Sequence, residues 1–162
     1  MHVARIEKNK LLKCKIKMEK LRFQLDRHST SSISATPGEW RIRGLRGATT
    51  VSQNSAEAIA EAVDELLDVL ETQNQVDPSE IVSATFSATQ DLDALFPASV
   101  ARCRPGWEQV PLLDVQQMQV TDSLDRCIRV LIHLNTPMPQ HALRPAYLRR
   151  AAQLRPDLAF SG

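Results

Sequence analysis

The sequence predicts an α+β domain in which a mixed β-sheet is covered by helices on one face. Several short stretches alternate apolar and polar residues with period two, and one long stretch repeats apolar residues with helical spacing. The two kinds of segment follow one another in the order β-α-β-α-β-β-α-β, and no internal repeat is visible. At 162 residues, of which 43% are hydrophobic, the chain is long enough for one domain with a modest core.

The first strand and the long helix are predicted at residues 41–51 and 54–75. The strand shows short apolar alternation that ends at Thr50. At the start of the helix, Asn54 and Glu57 have the spacing of a capping box. Helical periodicity places five apolar residues on one face of this helix: Ile59, Val63, Leu66, Leu67 and Leu70.

The middle of the chain predicts two strands with a short helix between them. Residues 81–88 alternate, so that Val82, Ala84, Phe86 and Ala88 share one face. Residues 96–103 then predict a helix, which begins at a proline and directs its valine inward. Residues 107–115 and their continuation predict a short strand with a polar exit.

The clearest strand is predicted at residues 127–135, with Arg129 and His133 on the face opposite its apolar residues. The apolar face is formed by Ile128, Val130, Ile132 and Leu134. We expect a helix or turn at residues 141–148, followed by a terminal strand within residues 151–160.

Charge divides the chain into two compositionally different parts. Residues 1–40 carry nine Lys and Arg against four acids, whereas residues 41–162 carry eleven arginines, no lysine and fifteen acids. A loose apolar stripe within residues 6–25 and a Ser/Thr/Pro/Gly stretch at 28–38 complete the first part. We therefore interpret residues 1–39 as a basic, disordered extension and linker, and residues 40–162 as the domain.

Cysteine usage and hydropathy limit where such a chain works. Cys14, Cys103 and Cys127 match neither a disulfide framework nor the spacing of a metal site, so we expect free thiols in a reducing, cytoplasmic compartment. No apolar run approaches the roughly 18 residues of a membrane-spanning helix. We expect neither a membrane nor a nucleic-acid partner for the domain.

Few side chains of the domain are suited to covalent or metal chemistry. It has no lysine, no G-x-S-x-G turn and no glycine-rich phosphate loop, and we interpret His133 as a half-buried structural residue. Arginine is what remains, and its planar charged fork suits carboxylates. Arg129 lies within the apolar stretch CIRVLIHL, where a permanent charge needs a partner or a ligand. The pattern is thus compatible with binding a small polycarboxylate, without naming it.

Five segments, taken together, resemble one enzyme family. The segments RGLRGATTV, SATQDLDALFPASVAR, GWEQVPLLDVQQMQV, CIRVLIHLNT and AYLRRAAQLRPDL resemble, in the same order and without gaps, the AroH-class, Bacillus-type monofunctional chorismate mutases. The resemblance covers residues 41–158. It implies a homotrimer with a pseudo-α/β-barrel fold, whose three active sites lie between neighbouring subunits.

The implied reaction is the Claisen rearrangement of chorismate to prephenate, which leads toward phenylalanine and tyrosine. It is unimolecular and needs no cofactor, metal or nucleophile. Carried over by position, Arg129 matches the arginine that contacts the ether oxygen of the substrate. Arg46 matches the arginine that binds a substrate carboxylate, and Tyr147 the tyrosine that helps to hold it.

The resemblance assigns further residues to the walls of the site. The neighbouring subunit is expected to supply Phe96, Ala98 and Arg102. The segment that lines the ring pocket aligns with Leu112, Leu113 and Asp114. The part that closes over the site aligns with Leu154 and Arg155.

Three positions depart from the family pattern. Gln117 stands where the family has a glutamate that hydrogen-bonds the substrate hydroxyl, and an amide is still able to accept that bond without bringing a charge. Asp114 replaces a cysteine whose main chain matters most, and Ser99 replaces a lysine. We expect activity to survive with a changed pH response, because glutamine does not titrate.

Three other functions remain open at this point. The protein is alternatively a non-catalytic or regulatory trimer that binds an aromatic-pathway carboxylate, with Gln117 marking a decayed site. A small trimer of the RidA type is a second alternative, against which the quoted segments argue. In a third, the basic extension is the functional part and contacts nucleic acid or a membrane surface.

Overall fold

A five-stranded mixed sheet is the centre of the fold in the computed structural model, which describes residues 39–158. The strand order is β3-β2-β4-β1-β5, with β4 antiparallel to β1 and β2, and parallel pairing of β1 with β5 and of β2 with β3. The strands are β1 (Arg41–Thr50), β2 (Ile81–Ala88), β3 (Leu112–Gln116), β4 (Cys127–Thr136) and β5 (Ala146–Tyr147).

Two α-helices lie on one face of this sheet, as predicted. They are α1 (Ala56–Asn74) and α2 (Pro97–Ala101), and 3-10 turns span Pro78–Glu80, Gln140–Ala142 and Arg149–Leu154. Within the described residues, no helix is long and apolar enough to cross a membrane. The predicted extension, with its helical stripe, its linker and Cys14, lies outside the described residues.

Helix α1 packs on the sheet through the face that its apolar periodicity predicts. All five residues of that face are fully buried, and they share one hydrophobic cluster with Leu45, Phe86, Ile128 and Ile132 of the sheet. Gly47 allows this close approach, because a Cβ atom there would lie 3.0 Å from Leu66 Cδ1 and Leu70 Cδ1. The core therefore lies between α1 and β1, β2 and β4.

The predicted capping box at the start of α1 is wrong by one residue. Ser55 is the N-cap, and its Oγ accepts a hydrogen bond from Ala58 N at 3.2 Å. Asn54 instead binds the loop after β2: its Nδ2 donates to Asp93 Oδ1, and its Oδ1 accepts from the backbone N–H groups of Asp93 and Ala94. The Asn54 side chain, which local spacing assigns to the helix cap, thus makes a long-range contact instead.

Strand β2 departs from the predicted alternation at its first residues. A register shift against β4 between Ile81 and Ser83 buries Ile81 and leaves Val82 exposed. Ala84 and Phe86 point into the core, as predicted. The prediction for Val82 is wrong because strict alternation does not anticipate an irregularity in pairing.

Two predicted boundaries in the second half of the chain also differ. Strand β3 begins at Leu112 rather than at residue 107, because Trp107 belongs to a buried turn in which its Nε1 donates to Glu71 Oε1 at 2.8 Å. The last strand is β5 at Ala146–Tyr147, where a helix or turn was expected. A 3-10 turn at Arg149–Leu154 occupies part of the predicted terminal strand.

An ion cluster fixes the loop after α2 to the outer side of α1. Arg104 bonds Asp64, Asp68 and Glu71 at 3.2, 2.6 and 2.8 Å, and Glu71 also accepts the hydrogen bond from Trp107. The Arg104 side chain is only 11% exposed. Because three carboxylates on successive turns of α1 surround one guanidinium, the end of α2 cannot shift far along α1.

Candidate active site

The face of the sheet opposite the helices carries both polar and apolar side chains; we call it the open face. Side chains on successive residues of a strand alternate between faces, so the open face takes the residues between the core positions. Exposed apolar residues of this face are Ile42, Leu113, Val115 and Leu131. Such a mixture is typical of a surface that is covered by another protein or by a ligand.

Strand pairing brings three candidate site residues together at one end of the open face. Ala48 of β1 pairs with Arg129 of β4 on one side and with Tyr147 of β5 on the other. Paired residues point to the same face, so Arg129 and Tyr147 flank a small side chain. Arg46 follows on the same face of β1, two residues from Ala48. Two guanidinium groups and a phenol therefore converge around Ala48.

A buried asparagine positions β5 and, through it, Tyr147. Asn74 lies at the end of α1, where its Nδ2 donates to Leu70 O at 2.8 Å and to Arg144 O at 2.9 Å, and its Oδ1 accepts from Arg144 N at 2.7 Å. Two residues later the chain enters β5, and Leu148 N then donates to Ala48 O at 2.9 Å. Because these contacts join α1, β5 and β1, Tyr147 is held on a rigid frame.

The last described residues lie over this end of the sheet. Leu154 and Leu158 pack against a small cluster of Ala48, Tyr147 and Ala151. Arg155 pairs with Asp157 through two hydrogen bonds of 2.9 and 2.7 Å, and this pairing lowers the pKa of the Asp157 carboxyl, with the positive charge of Arg46 adding to the effect. Leu154 therefore lies beside Tyr147, and the ion pair of Arg155 lies close enough to Arg46 to feel its charge.

The arginines divide into paired and unpaired groups. Arg104, Arg126, Arg149 and Arg150 form ion pairs that connect elements of the chain or fix loops. Among residues 39–158, no carboxylate forms an ion pair with Arg46, Arg102 or Arg129. Exposed cations without a fixed carboxylate are available to an anionic ligand.

Gln117 lies at the same end of the sheet as Arg129. It follows β3, and its N–H donates to Ala88 O at 2.8 Å, while Ala88 pairs with Ile128 beside Arg129. The Oε1 atom of Gln117 is buried and has no hydrogen-bond partner within the part of the chain that the structure describes. A buried acceptor without a partner costs free energy, and a ligand that donates a hydrogen bond would remove that cost.

The remaining candidates lie at the other edge of the sheet. Phe96, Ala98 and Arg102 belong to α2 or flank it, and α2 packs beside β3. Phe96 is 72% exposed, and Arg102 is exposed too. Within β3, Leu113 is exposed on the open face, Leu112 is half-buried against the core, and Asp114 accepts a hydrogen bond from Ala98 N at 3.0 Å. Burial raises the pKa of the Asp114 carboxyl, while that bond and the charge of Arg102 oppose the rise.

A single chain therefore divides the candidate residues into two groups. The first group, at β4, β1 and β5, contains Arg46, Arg129, Tyr147, Leu154 and Arg155. The second group, at β3 and α2, contains Phe96, Ala98, Arg102, Leu112, Leu113 and Asp114. The two edge strands are four strand spacings apart, about 19 Å. Tyr147 and the residues of α2 in one chain are therefore too far apart to contact one small molecule, whereas Arg129 on the central strand β4 is only two spacings from β3.

The other titratable side chains near the site have structural contacts. His133 is half-buried, with its Nδ1 3.2 Å from Ser83 Oγ, in agreement with the structural role predicted for it. Cys127 is fully buried, and burial raises the pKa of its thiol against the opposing effect of a hydrogen bond from Arg129. In residues 39–158, no group of three His, Cys, Asp or Glu side chains is placed to hold a metal ion.

Two residues near the site were not anticipated from the sequence. Asn74 was read only as part of the end of the helix, yet its amide holds the segment before β5. Asp157 follows Arg155 by two residues, a spacing that allows a local ion pair and is a usable signal. No sequence signal identifies the partner of Asn74, because Arg144 lies 70 residues away.

Comparison with known proteins places these residues in a family. The model of the family "Chorismate mutase type I" matches residues 42–158. Chorismate mutase AroH of Bacillus subtilis (strain 168) is 42% identical over 120 residues, which cover 74% of this chain and 94% of that protein. Chorismate mutase AroH of Thermus thermophilus is 45% identical over 118 residues, with coverage of 72% and 96%.

A solved structure agrees with the computed fold. The chorismate mutase from Clostridium thermocellum superimposes with a TM-score of 0.66 at 38% identity, covering 68% of this chain and 97% of that one. The α+β architecture predicted from the sequence is thereby confirmed. The chain belongs to the chorismate mutase type I family.

Proposed function

We propose that this protein catalyses the rearrangement of chorismate to prephenate, a step toward phenylalanine and tyrosine, with Arg46, Arg129 and Gln117 as its main catalytic residues. The observation that supports this best is that Arg129, which pairs with Ala48 beside Tyr147, and Arg46, two residues along β1, form no ion pair with a carboxylate among residues 39–158. Chorismate is a dianion, and two guanidinium groups on a rigid sheet match its charge. The family membership and the names of the relatives point the same way.

The reaction requires only that the substrate be held in the right conformer and that the charge developing in the transition state be stabilised. One C–O bond breaks and one C–C bond forms within the same molecule, so neither a cofactor nor a nucleophile takes part. Arg46 and Tyr147 hold the substrate carboxylates and restrain the flexible dianion in its compact conformer, and Arg155, which is ion-paired with Asp157, closes over them. Arg129 faces the ether oxygen, where negative charge grows as the C–O bond breaks, and stabilises the transition state more than the ground state.

Gln117 completes the polar contacts in this proposal. Its buried Oε1 accepts a hydrogen bond from the substrate hydroxyl and so gains the partner that the free chain lacks. The ring itself lies against Leu112, Leu113 and the main chain at Asp114, together with Phe96 and Ala98. Arg102 adds a second cation at that wall, and Leu154 covers the site.

Replacing Arg129 with Ala tests the catalytic proposal directly. We expect the rate of chorismate disappearance, followed by its absorbance, to fall on the order of 10²–10³-fold, because one preorganised donor at the developing charge is lost. Thermal unfolding of the variant should stay close to that of the unaltered protein, since Arg129 forms no ion pair among residues 39–158. Equal, background-level rates for both proteins would favour the non-catalytic carboxylate-binding trimer instead.

The division of the site residues between two sheet edges supports a homotrimer with sites shared between subunits. If β1, β4 and β5 of one subunit meet α2 and β3 of the next, each interface unites one copy of both groups. Such head-to-tail contacts close into a ring when the rotation fits. The exposed apolar residues of the open face, such as Ile42 and Leu131, would be covered in that assembly.

Mixed trimers test whether sites are shared. When Arg102→Ala and Arg129→Ala chains are co-expressed, about a quarter of the sites in random trimers take Arg129 from one chain and Arg102 from the other. We expect activity well above that of either variant alone. As the matched control, Arg46→Ala with Arg129→Ala should give no recovery, because both residues come from the same chain. If neither mixture recovers activity, the proposal of a shared site is contradicted.

The expected location is the cytoplasm, where the substrate pathway operates. Cys127 is a buried free thiol, which is the usual state of a cysteine in a reducing compartment. The partners proposed are therefore chorismate, prephenate and further copies of the chain, with no nucleic acid or membrane.

A further inference from the structure

Helix α2 has no side-chain cap of its own at its N-terminus. It spans only five residues, and its N-cap, Phe96, makes no side-chain hydrogen bond to it. A cavity of about 190 Å³ borders Phe96, Pro97 and the end of β3, and Phe96 itself is largely exposed. Pro97 and Ala98 are buried, so packing holds the helix itself, but the N–H groups of its first turn need acceptors from elsewhere.

Asp114 supplies the missing contact from outside the helix. Its Oδ1 accepts the hydrogen bond of Ala98 N at 3.0 Å, which satisfies one of the free N–H groups of the first turn. In β3 the side chains alternate, so Asp114 points to the helix-covered side while Leu113 and Val115 lie on the open face. Its carboxylate is thus directed to α2 and away from the face that carries Arg46 and Arg129.

The charge of Asp114 also acts on Arg102. Within residues 96–103, Arg102 is the one cationic side chain. Ser99 stands where related proteins are expected to have a lysine. Asp114 is half-buried, and the electrostatic interaction with Arg102 favours its ionised form against burial. Asp114 is therefore hydrogen-bonded to the first turn of α2 and interacts with Arg102 at its end through charge, without an ion pair.

We infer that Asp114 is a positioning residue for α2, which holds Phe96 and Arg102 in place for the active site of the neighbouring subunit. This inference rests on the proposed function, and it replaces a direct contact of the Asp114 side chain with the substrate. Asp114 therefore acts together with α2. Replacing Asp114 is expected to affect the active site of the neighbouring subunit, to which α2 contributes. The site that contains Arg129 of the same chain should stay unaltered.

The first test is the kinetics of Asp114 variants. Asp114→Ala is expected to lower kcat/KM about tenfold, with most of the change in KM, because the wall that confines the substrate loses its fixed position. Asp114→Asn keeps an acceptor for Ala98 N and should recover most of the loss. Glu108→Ala, at an exposed acid in the loop before β3, is the control and should not change kcat/KM. An Asn variant no better than the Ala variant contradicts the inference.

Mixed trimers then locate the effect. Co-expressed Asp114→Ala and Arg129→Ala chains should be more active than Asp114→Ala alone, because about a quarter of the sites combine an unaltered wall with Arg129. Co-expressed Asp114→Ala and Arg102→Ala chains should show no recovery, since both changes affect the same wall. The reverse result would mean that Asp114 acts within the site of its own chain, and the inference would be wrong.

Two outcomes separate this inference from the proposed function. If Arg102→Ala and Arg129→Ala chains recover activity together but Asp114→Ala and Arg129→Ala chains do not, only the role of Asp114 is overturned. If the first mixture fails as well, the shared site itself is wrong, and the inference fails with it. Should Asp114→Ala not assemble, Asp114→Val, which has no acceptor and suits a strand, takes its place in the same mixtures.

Discussion

At the scale of single residues, the environment of each arginine distinguishes structural from ligand-binding roles. Arg104 is nearly buried among three carboxylates of α1, and Arg149 bonds Glu61 and Glu65 of the same helix. Arg46 and Arg129, in contrast, lie on the open face without an ion pair among the described residues. A guanidinium whose donors are already used by carboxylates of the fold has little left for a ligand, whereas Arg46 and Arg129 bind no carboxylate among residues 39–158, although Arg129 also hydrogen-bonds the Cys127 sulfur.

The amide of Gln117 leads to a pH prediction. Because glutamine does not titrate, we expect kcat/KM of the unaltered protein to show no titration from this position between about pH 5 and 8. In Gln117→Glu, burial should raise the pKa of the new carboxyl above the usual value for glutamate, so the variant loses its charged form, and activity, as the pH falls. The measurement is kcat/KM against pH for both proteins.

The same variant shows whether the amide limits the rate. A Gln117→Glu protein at least tenfold faster at neutral pH would demonstrate that the missing negative charge is a handicap. Superimposable pH profiles of the two proteins would contradict the placement of Gln117 at the site.

At the scale of elements, β1 connects the core to the site. One face of β1 packs on α1 through Leu45 and Gly47, while the other carries Arg46 and Ala48. Strand β5 completes the site by pairing with Gly47 and Ala48. A change in the distance between α1 and β1 therefore also changes where Tyr147 lies.

Gly47→Ala tests this connection. The new Cβ would lie 3.0 Å from Leu66 and Leu70 Cδ1 and 3.1 Å from the backbone oxygen of Ala146, which cannot rotate away. We expect the free energy of unfolding to fall by about 1–3 kcal/mol, as for other overpacked sites. Urea unfolding, together with kcat/KM as a report on Tyr147, measures both effects.

Gly44→Ala on the same strand is the matched control. Its Cβ would meet only Leu131 Cδ1, at 3.6 Å, which is an ordinary contact. Its free energy of unfolding should stay unchanged or rise by up to ~1 kcal/mol, because the unfolded chain loses conformational freedom. Equal losses in both variants would mean that the close contact at Gly47 is not the cause.

At the scale of the whole molecule, the net charge of the domain has the same sign as the charge of the proposed ligand. Residues 41–162 hold fifteen acids and eleven arginines, a net charge of −4, yet the proposed substrate is a dianion. Many of the acids lie on α1, on the far side of the sheet from the open face, and several are neutralised by Arg104 and Arg149. The positive potential that Arg46, Arg129 and Arg102 create then outweighs the effect of the net negative charge. The reason is that the low-dielectric walls of a cleft focus the electric field of charges within it.

Deletion of residues 1–39 tests the division of the chain. The matched family model begins at residue 42, and no candidate site residue precedes Arg46. We expect kcat/KM and the oligomeric mass, measured by light scattering, to be the same with and without the extension. A lower kcat/KM or a smaller oligomer would assign the basic extension a role in the enzyme itself.

The success of the sequence-based predictions follows the range of the interactions involved. The buried face of α1 and that of β4 were predicted correctly, because residues a few positions apart define them. The cap at Asn54, the alternation at Val82 and the last strand were wrong. In each case a contact with a distant segment decides the structure: the loop at Asp93, the register against β4, and the pairing with β1.

The sequence by itself determined the class of the fold, the family resemblance and the candidate residues. The reason is that local periodicity and the five segments that resemble the family are properties of the chain alone. Only the tertiary structure decided that the candidate residues fall into two groups, one at β4, β1 and β5 and one at β3 and α2, and which arginines form no ion pair with a carboxylate of residues 39–158. The physical reason is that strand order and ion pairing depend on contacts between segments far apart in the chain, such as Ala48 with Arg129 or Asn74 with Arg144.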